Sequence, residues 1–128
     1  MKKIYTLIAL FIFFQTIMKA QNAVKILSYE IDTAANHNCY DWNYPNRDTL
    51  QILITKMFPI SEEEHHGGFS NYSCDISGYL IYNRRRYYYE FNAGGFVMLI
   101  KHHDIYYLAC KNKEYFKYFL ATEDVGNE

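Results

Sequence analysis

Four apolar or aromatic runs mark the second half of the chain, 76–82, 87–91, 96–100 and 105–110. Short turn signals separate them: Asn83-Arg84, Asn92-Ala93-Gly94-Gly95, and the segment 101–104. This spacing predicts a four-stranded antiparallel meander. In its second strand Tyr87, Tyr89 and Phe91 fall on one face and Arg86, Tyr88 and Glu90 on the other, so one face is expected in the core and one in water. Gly94 and Gly95 are expected to supply the positive φ of the middle turn.

Upstream, 24–32 reads as a first strand with Leu27, Tyr29 and Ile31 on its apolar face and Ile26, Ser28, Glu30 and Asp32 on the other. The Asn-, Asp- and Tyr-rich stretch 33–47 predicts an irregular loop, with Trp42 anchoring it to the core. Asp48 is a candidate cap for a central helix, because Leu50, Leu53, Ile54, Met57 and Phe58 follow the i, i+3, i+4, i+7 spacing and Pro59 stops it. The β-branched Ile52, Ile54 and Thr55 keep a strand open as the alternative. The polar segment 61–73 predicts a mobile surface loop, opened by one helical turn. Tyr115, Phe116, Phe119 and Leu120 predict a short amphipathic helix over 113–120 that closes over the sheet. The expected class is α+β: a four-stranded antiparallel meander plus an N-terminal strand, one central helix and one short C-terminal helix.

The first 20 residues have a different character. Lys2 and Lys3 precede an apolar run over 4–14 that only Thr6 interrupts, and Ala20 stands before Gln21. That order predicts a secretory signal peptide over 1–20, with an uncleaved anchor as the alternative because Met18 occupies the position where a small residue is preferred. The run is short of the roughly 20 apolar residues that a membrane span needs. No cysteine lies near the cut to take a lipid. Residues 21–128 then form one small domain without stable membrane insertion. Cleavage removes Lys2, Lys3 and Lys19, three of the 13 basic residues, and none of the 14 acids, which leaves a net charge of −4. An acidic exported chain argues against nucleic acid as the partner.

Three cysteines, Cys39, Cys74 and Cys110, follow the leader in a compartment that permits disulfides. Three is an odd number, so at most one intramolecular bridge forms, and spacings of 35 and 36 residues match no CxxC metal or redox pattern, which argues against a redox enzyme. Cys74 with Cys110 is the expected pair, and three reduced cysteines are the alternative.

The segments Tyr89-Glu90-Phe91-Asn92-Ala93-Gly94-Gly95, Tyr107-Leu108-Ala109-Cys110 and Lys117-Tyr118-Phe119-Leu120 together carry a resemblance. Over about 74–120 the chain resembles the C-terminal half of small uncharacterised exported proteins of Bacteroidetes-type bacteria. Their signal peptides also often end Ala-Gln, as Ala20-Gln21 does here. The resemblance implies the compartment and the fold, and carries no function.

Candidate chemistry is sparse. His65-His66 and His102-His103, with Glu63, Glu64 or Asp104, could offer zinc or copper ligands, but neighbours on a strand point to opposite faces and neither pair has the HExxH spacing. The expectation is solvated turn histidines, with no metal and no cofactor. Cys74, Cys110, His102, His103 and Asp104 could form a nucleophilic set, yet no GxSxG elbow or other catalytic context surrounds them. Gly67-Gly68 and Gly94-Gly95 lack the rest of a phosphate loop. Arg84-Arg85-Arg86 before Tyr87-Tyr88-Tyr89 fits a polyanion contact or, as the simpler reading, a charged turn that keeps a strand edge soluble.

Tyrosine decides the functional expectation. With 14 tyrosines and 9 phenylalanines, a domain of this size cannot bury every ring. The sequence points to a non-catalytic binding protein of the periplasm or exterior, with Tyr82, Arg84, Arg86, Tyr88 and Glu90 as its contact surface and a protein as its partner. An immunity-type inhibitor of a toxin in the same compartment is one form. The first alternative is a small-ligand or glycan-binding module that stacks sugars on tyrosines and Trp42. The second is a weak hydrolase or metal-binding protein.

Overall fold

The computed structural model describes residues 23–32, 39 and 41–121. The expected signal peptide and cleavage site lie outside the described residues. Among the described residues seven strands form one antiparallel sheet: β1 (Val24–Ile26), β2 (Glu30–Asp32), β3 (Phe58–Ile60), β4 (Asp75–Tyr82), β5 (Arg85–Asn92), β6 (Phe96–Lys101) and β7 (Asp104–Ala109). Their order is β1-β4-β5-β6-β7-β3, with β2 also paired to β4. The expected meander is therefore the centre of a wider sheet. The described residues also form two helices, α1 (Arg47–Thr55) and α2 (Glu62–Gly68), and a 3-10 helix (Lys113–Tyr118), which makes the fold α+β.

The meander follows its turn chemistry. Asn83 and Arg84 both adopt positive φ, 49° and 72°, as a two-residue hairpin turn requires for the strand twist to continue. That turn fixes the register, so Tyr82 pairs with Arg85 and Tyr79 with Tyr88. On the inner face Ile76, Leu80, Tyr87, Tyr89, Phe91, Val97, Leu99 and Leu108 are buried. Leu50, Leu53 and Ile54 of α1, followed by Met57, complete this core.

The first strand departs from expectation. It runs along β4, but a bulge at 27–29 divides it: Ile26 pairs with Leu80 while Glu30 pairs with Ser77, so one extra residue is accommodated. The amides of Leu27 and Ser28 both donate to the Tyr79 carbonyl, at 2.9 and 3.2 Å. One inserted residue changes the parity of every side chain before it. Ile26 is consequently buried and Leu27 is 39% exposed, the reverse of the alternation in the sequence, whereas Tyr29 and Ile31 do pack inward. Gly78 makes the bulge possible. Its φ is 154°, and a Cβ there would run into the Ser28 backbone carbonyl. That carbonyl accepts the hydroxyl of the fully buried Tyr89 at 2.8 Å, which satisfies a polar group inside the core.

Other elements also differ. Asn46, not Asp48, caps α1, its side chain accepting from the Thr49 amide at 2.8 Å, and Asp48 sits in the first turn where its charge complements the helix dipole. The helix ends at Thr55, two residues before Met57, and Phe58 is exposed on β3. Pro59 lies within that edge strand, where a missing amide hydrogen costs no ladder bond. In the expected loop 61–73, Ser61 and Glu64 form a reciprocal capping box that starts α2. The C-terminal element is a single 3-10 run, and Tyr115, Phe116 and Tyr118 from it pack against the core. Trp42 anchors its loop as expected: it stacks on Phe91 at 6.3 Å, and its indole nitrogen donates to the Tyr118 carbonyl at 2.8 Å.

The disulfide joins Cys39 to Cys74, with Cα atoms 5.6 Å apart, and Cys110 is free and buried. The expected Cys74–Cys110 pair is thus corrected. β5 and β6 lie between β4, which Cys74 precedes, and β7, which Cys110 follows, so the two are held on different strands of a rigid sheet. Cys39 is buried beside Trp42, whose amide donates to the Cys39 carbonyl, and this places it within reach of Cys74. Gly94 is corrected too: only Gly95 has positive φ, while Gly94 is needed because its Cα approaches the Ser70 backbone too closely for a side chain.

Candidate functional site

The outer face of the sheet gathers most of the expected contact residues. Arg86, Tyr88 and Glu90 alternate outward along β5 as the sequence predicted. Tyr82 does not join them. It shares the inner face with Leu80 and packs against the core, where burial and then Tyr87 push its hydroxyl pKa up. Arg84 belongs to the turn and is exposed.

The register adds residues that the sequence reading left out. Tyr79 lies opposite Tyr88, the rings meeting edge to face at 5.5 Å, and the Arg86 guanidinium covers Tyr79 at 4.5 Å. Tyr79 nevertheless remains 44% exposed. Ile100 and Ile105 extend this row across β6 and β7, with Ile105 50% exposed. The two-residue turn at Asn83-Arg84 was signal enough to find Tyr79, since it fixes which β4 residue faces Tyr88.

A cleft of about 510 Å³ opens beside the tyrosines and is lined by Glu30, Asp32, Asp75, Ser77, Tyr88 and Glu90. Four carboxylates line it because Asp32 pairs with Asp75, Glu30 with Ser77, and Ser77 in turn with Glu90. Burial, with Glu90 and Asp32 close by, pushes the Asp75 carboxyl up to about 6. A shallower hollow of about 340 Å³ on the other side of the row is lined by Tyr79, Arg86, Tyr88, Ile100, Lys101 and His102. The face therefore carries acid at one end, tyrosine and isoleucine in the middle, and base at the other end.

The remaining candidates are dispersed. His65 is not solvated: it is 8% exposed, stacked on Tyr107 at 4.2 Å with its edge toward Phe96, and burial lowers its pKa. His66 is exposed and reaches Glu62 at 3.6 Å. His102 and His103 form the β6–β7 turn, and His103 lines a small cleft with Glu62, Ile105 and Tyr107. Among the described residues no three His, Cys, Asp or Glu side chains are grouped to hold a metal ion. Cys74 is bonded to Cys39, and burial raises the pKa of the Cys110 thiol, so neither presents a thiolate. Trp42 is buried and has no face open to a sugar.

Compared with known proteins, the chain matches no family model, no curated protein and no solved structure.

Proposed function

We propose that the protein is exported and binds another protein through the outer face of its sheet, without catalysing a reaction. The observation that supports this reading is the exposed Tyr79–Arg86–Tyr88 cluster. Tyrosine and arginine are the residues on which interfaces concentrate binding energy, and here they flank a charged cleft on a rigid, hydrogen-bonded ladder. The Cys39–Cys74 bridge is compatible with export, as is the lack, among the described residues, of a helix long and apolar enough to cross a membrane.

The test is capture from periplasmic and secreted fractions with the purified protein as bait, followed by mass spectrometry. The double variant Arg86→Ala, Tyr88→Ala is expected to lose the captured protein while keeping its circular dichroism spectrum, because both side chains point outward. Undiminished capture by that variant rejects the surface. A different protein recovered in equal amount would give the immunity-type form of this reading.

A further inference from the structure

The charges of the outer face are arranged symmetrically about its tyrosine row. Tyr79 and Tyr88 are level across β4 and β5. Two residues away on one side, on the same face, stand Glu90 on β5 and Ser77 on β4, with Glu30 of β2 level with Ser77. Two residues away on the other side stand Arg86 and Ile81, with Lys25 of β1 level with Ile81. Two residues of strand span about 7 Å, so acid and base lie at equal distances from the row in matching columns. A two-fold axis lying in the face, along the Tyr79–Tyr88 row, exchanges the two sides.

We propose that this face binds a second copy of the chain in an isologous two-fold contact centred on Tyr79 and Tyr88, with Arg86 against the second copy's Glu90 and Lys25 against its Glu30. The proposal rests on the reading of this face as a protein-binding surface and names the protein. Two sheets stacked face to face lie about 10 Å apart, a gap that Tyr79, Tyr88, Ile100 and Ile105 from both copies would fill. Charge complementarity sets the orientation. The opposite, parallel arrangement would place the Glu30, Asp32, Asp75 and Glu90 carboxylates of both copies together, which like-charge repulsion disfavours. Helix α2 stands over Phe96 and Tyr107 at one corner, leaving the tyrosine row open. Edge pairing is a poor competitor, because Arg47 and Gln51 occupy the outward carbonyl and amide of Ile26 on β1, and β3 is three residues long with Pro59 at its centre.

Sedimentation equilibrium of the exported protein tests this, alone and as variants Arg86→Glu and Glu90→Arg, each checked for folding by circular dichroism. The wild type is expected at twice the mass of the chain, and each single variant is expected to raise the dimer Kd by at least about tenfold. An equimolar mixture of the two variants should recover the dimer, since one copy then carries acid and the other base at both positions. A wild type that stays monomeric overturns the proposal. If such a monomer still captures a different protein through Arg86 and Tyr88, the binding-face reading survives alone. A dimer that neither substitution weakens, or variants that fail to recover on mixing, also overturns the two-fold contact.

Discussion

Asp75 is the side chain on which the charge of the outer face bears most directly. It is half-buried on β4 opposite Asp32, and its pKa is raised to about 6 from the ordinary aspartate value. In the unfolded chain the same carboxyl loses its proton near pH 4, so between about pH 4 and 6 the folded state holds more protons. Stability from this group is therefore fully present below about pH 4 and is lost as pH rises through 6. Asp75→Asn should abolish that slope and stabilise the protein at pH 7.5 by about 1 kcal/mol, a value discounted for the solvent that reaches the cleft. Urea unfolding of wild type and variant at both ends of this range checks it, and equal midpoints at pH 7.5 would show that neither burial nor the neighbouring carboxylates penalise the charged form. Asn92 makes the contrasting case of a buried polar residue that is fully satisfied. Its amide donates to the Asn71 side chain and the Tyr72 carbonyl, and its oxygen accepts from the amides of Tyr72 and Gly94.

Among the elements, those whose identity depends on neighbours in sequence were legible, and those that depend on distant ones were not. The β4–β5 hairpin was legible because a two-residue turn leaves one register, and α1 because its apolar positions keep the helical period. The residues of the candidate site on β5 came with the hairpin. Glu30, Asp32 and Asp75 did not, because only the pairing of β2 with β4 brings them together. β3 is too short to show alternation and carries a proline, so β7 rather than its own sequence makes it a strand. The opening turn of α2 was legible at Ser61-Glu62-Glu63-Glu64, but the two glycines that follow hid the rest of the helix. The bulge was hidden entirely, since its requirement sits across the ladder at Gly78. Gly78→Ala should cost roughly 2–3 kcal/mol in chemical denaturation, because alanine strains at that φ and its methyl group displaces the Ser28 carbonyl from the Tyr89 hydroxyl. A loss below about 0.5 kcal/mol would mean that the bulge relaxes without it.

At the scale of the molecule, the sheet, α1 and the 3-10 helix share one core, and the Cys39–Cys74 bridge ties the segment before α1 to the start of β4. The bridge spans 35 residues, so replacing both cysteines by serine should lower stability by about 3–4 kcal/mol. The intact protein should yield one titratable thiol, Cys110, and only after unfolding. Three thiols in the protein purified without reductant would contradict the bridge. The bulge at 27–29 has a consequence of another kind. Ile26 and Glu30 are four positions apart and would share a face in a regular strand, so Ile26 is inward with Glu30 and Asp32 outward only because the bulge takes up one residue. Run as an unbroken strand in register from Ile26, the same amino acids would carry two carboxylates into the core and turn Ile31 to water. The acidity of this surface is thus set by the one residue that the ladder leaves out as much as by the chemistry of those it keeps.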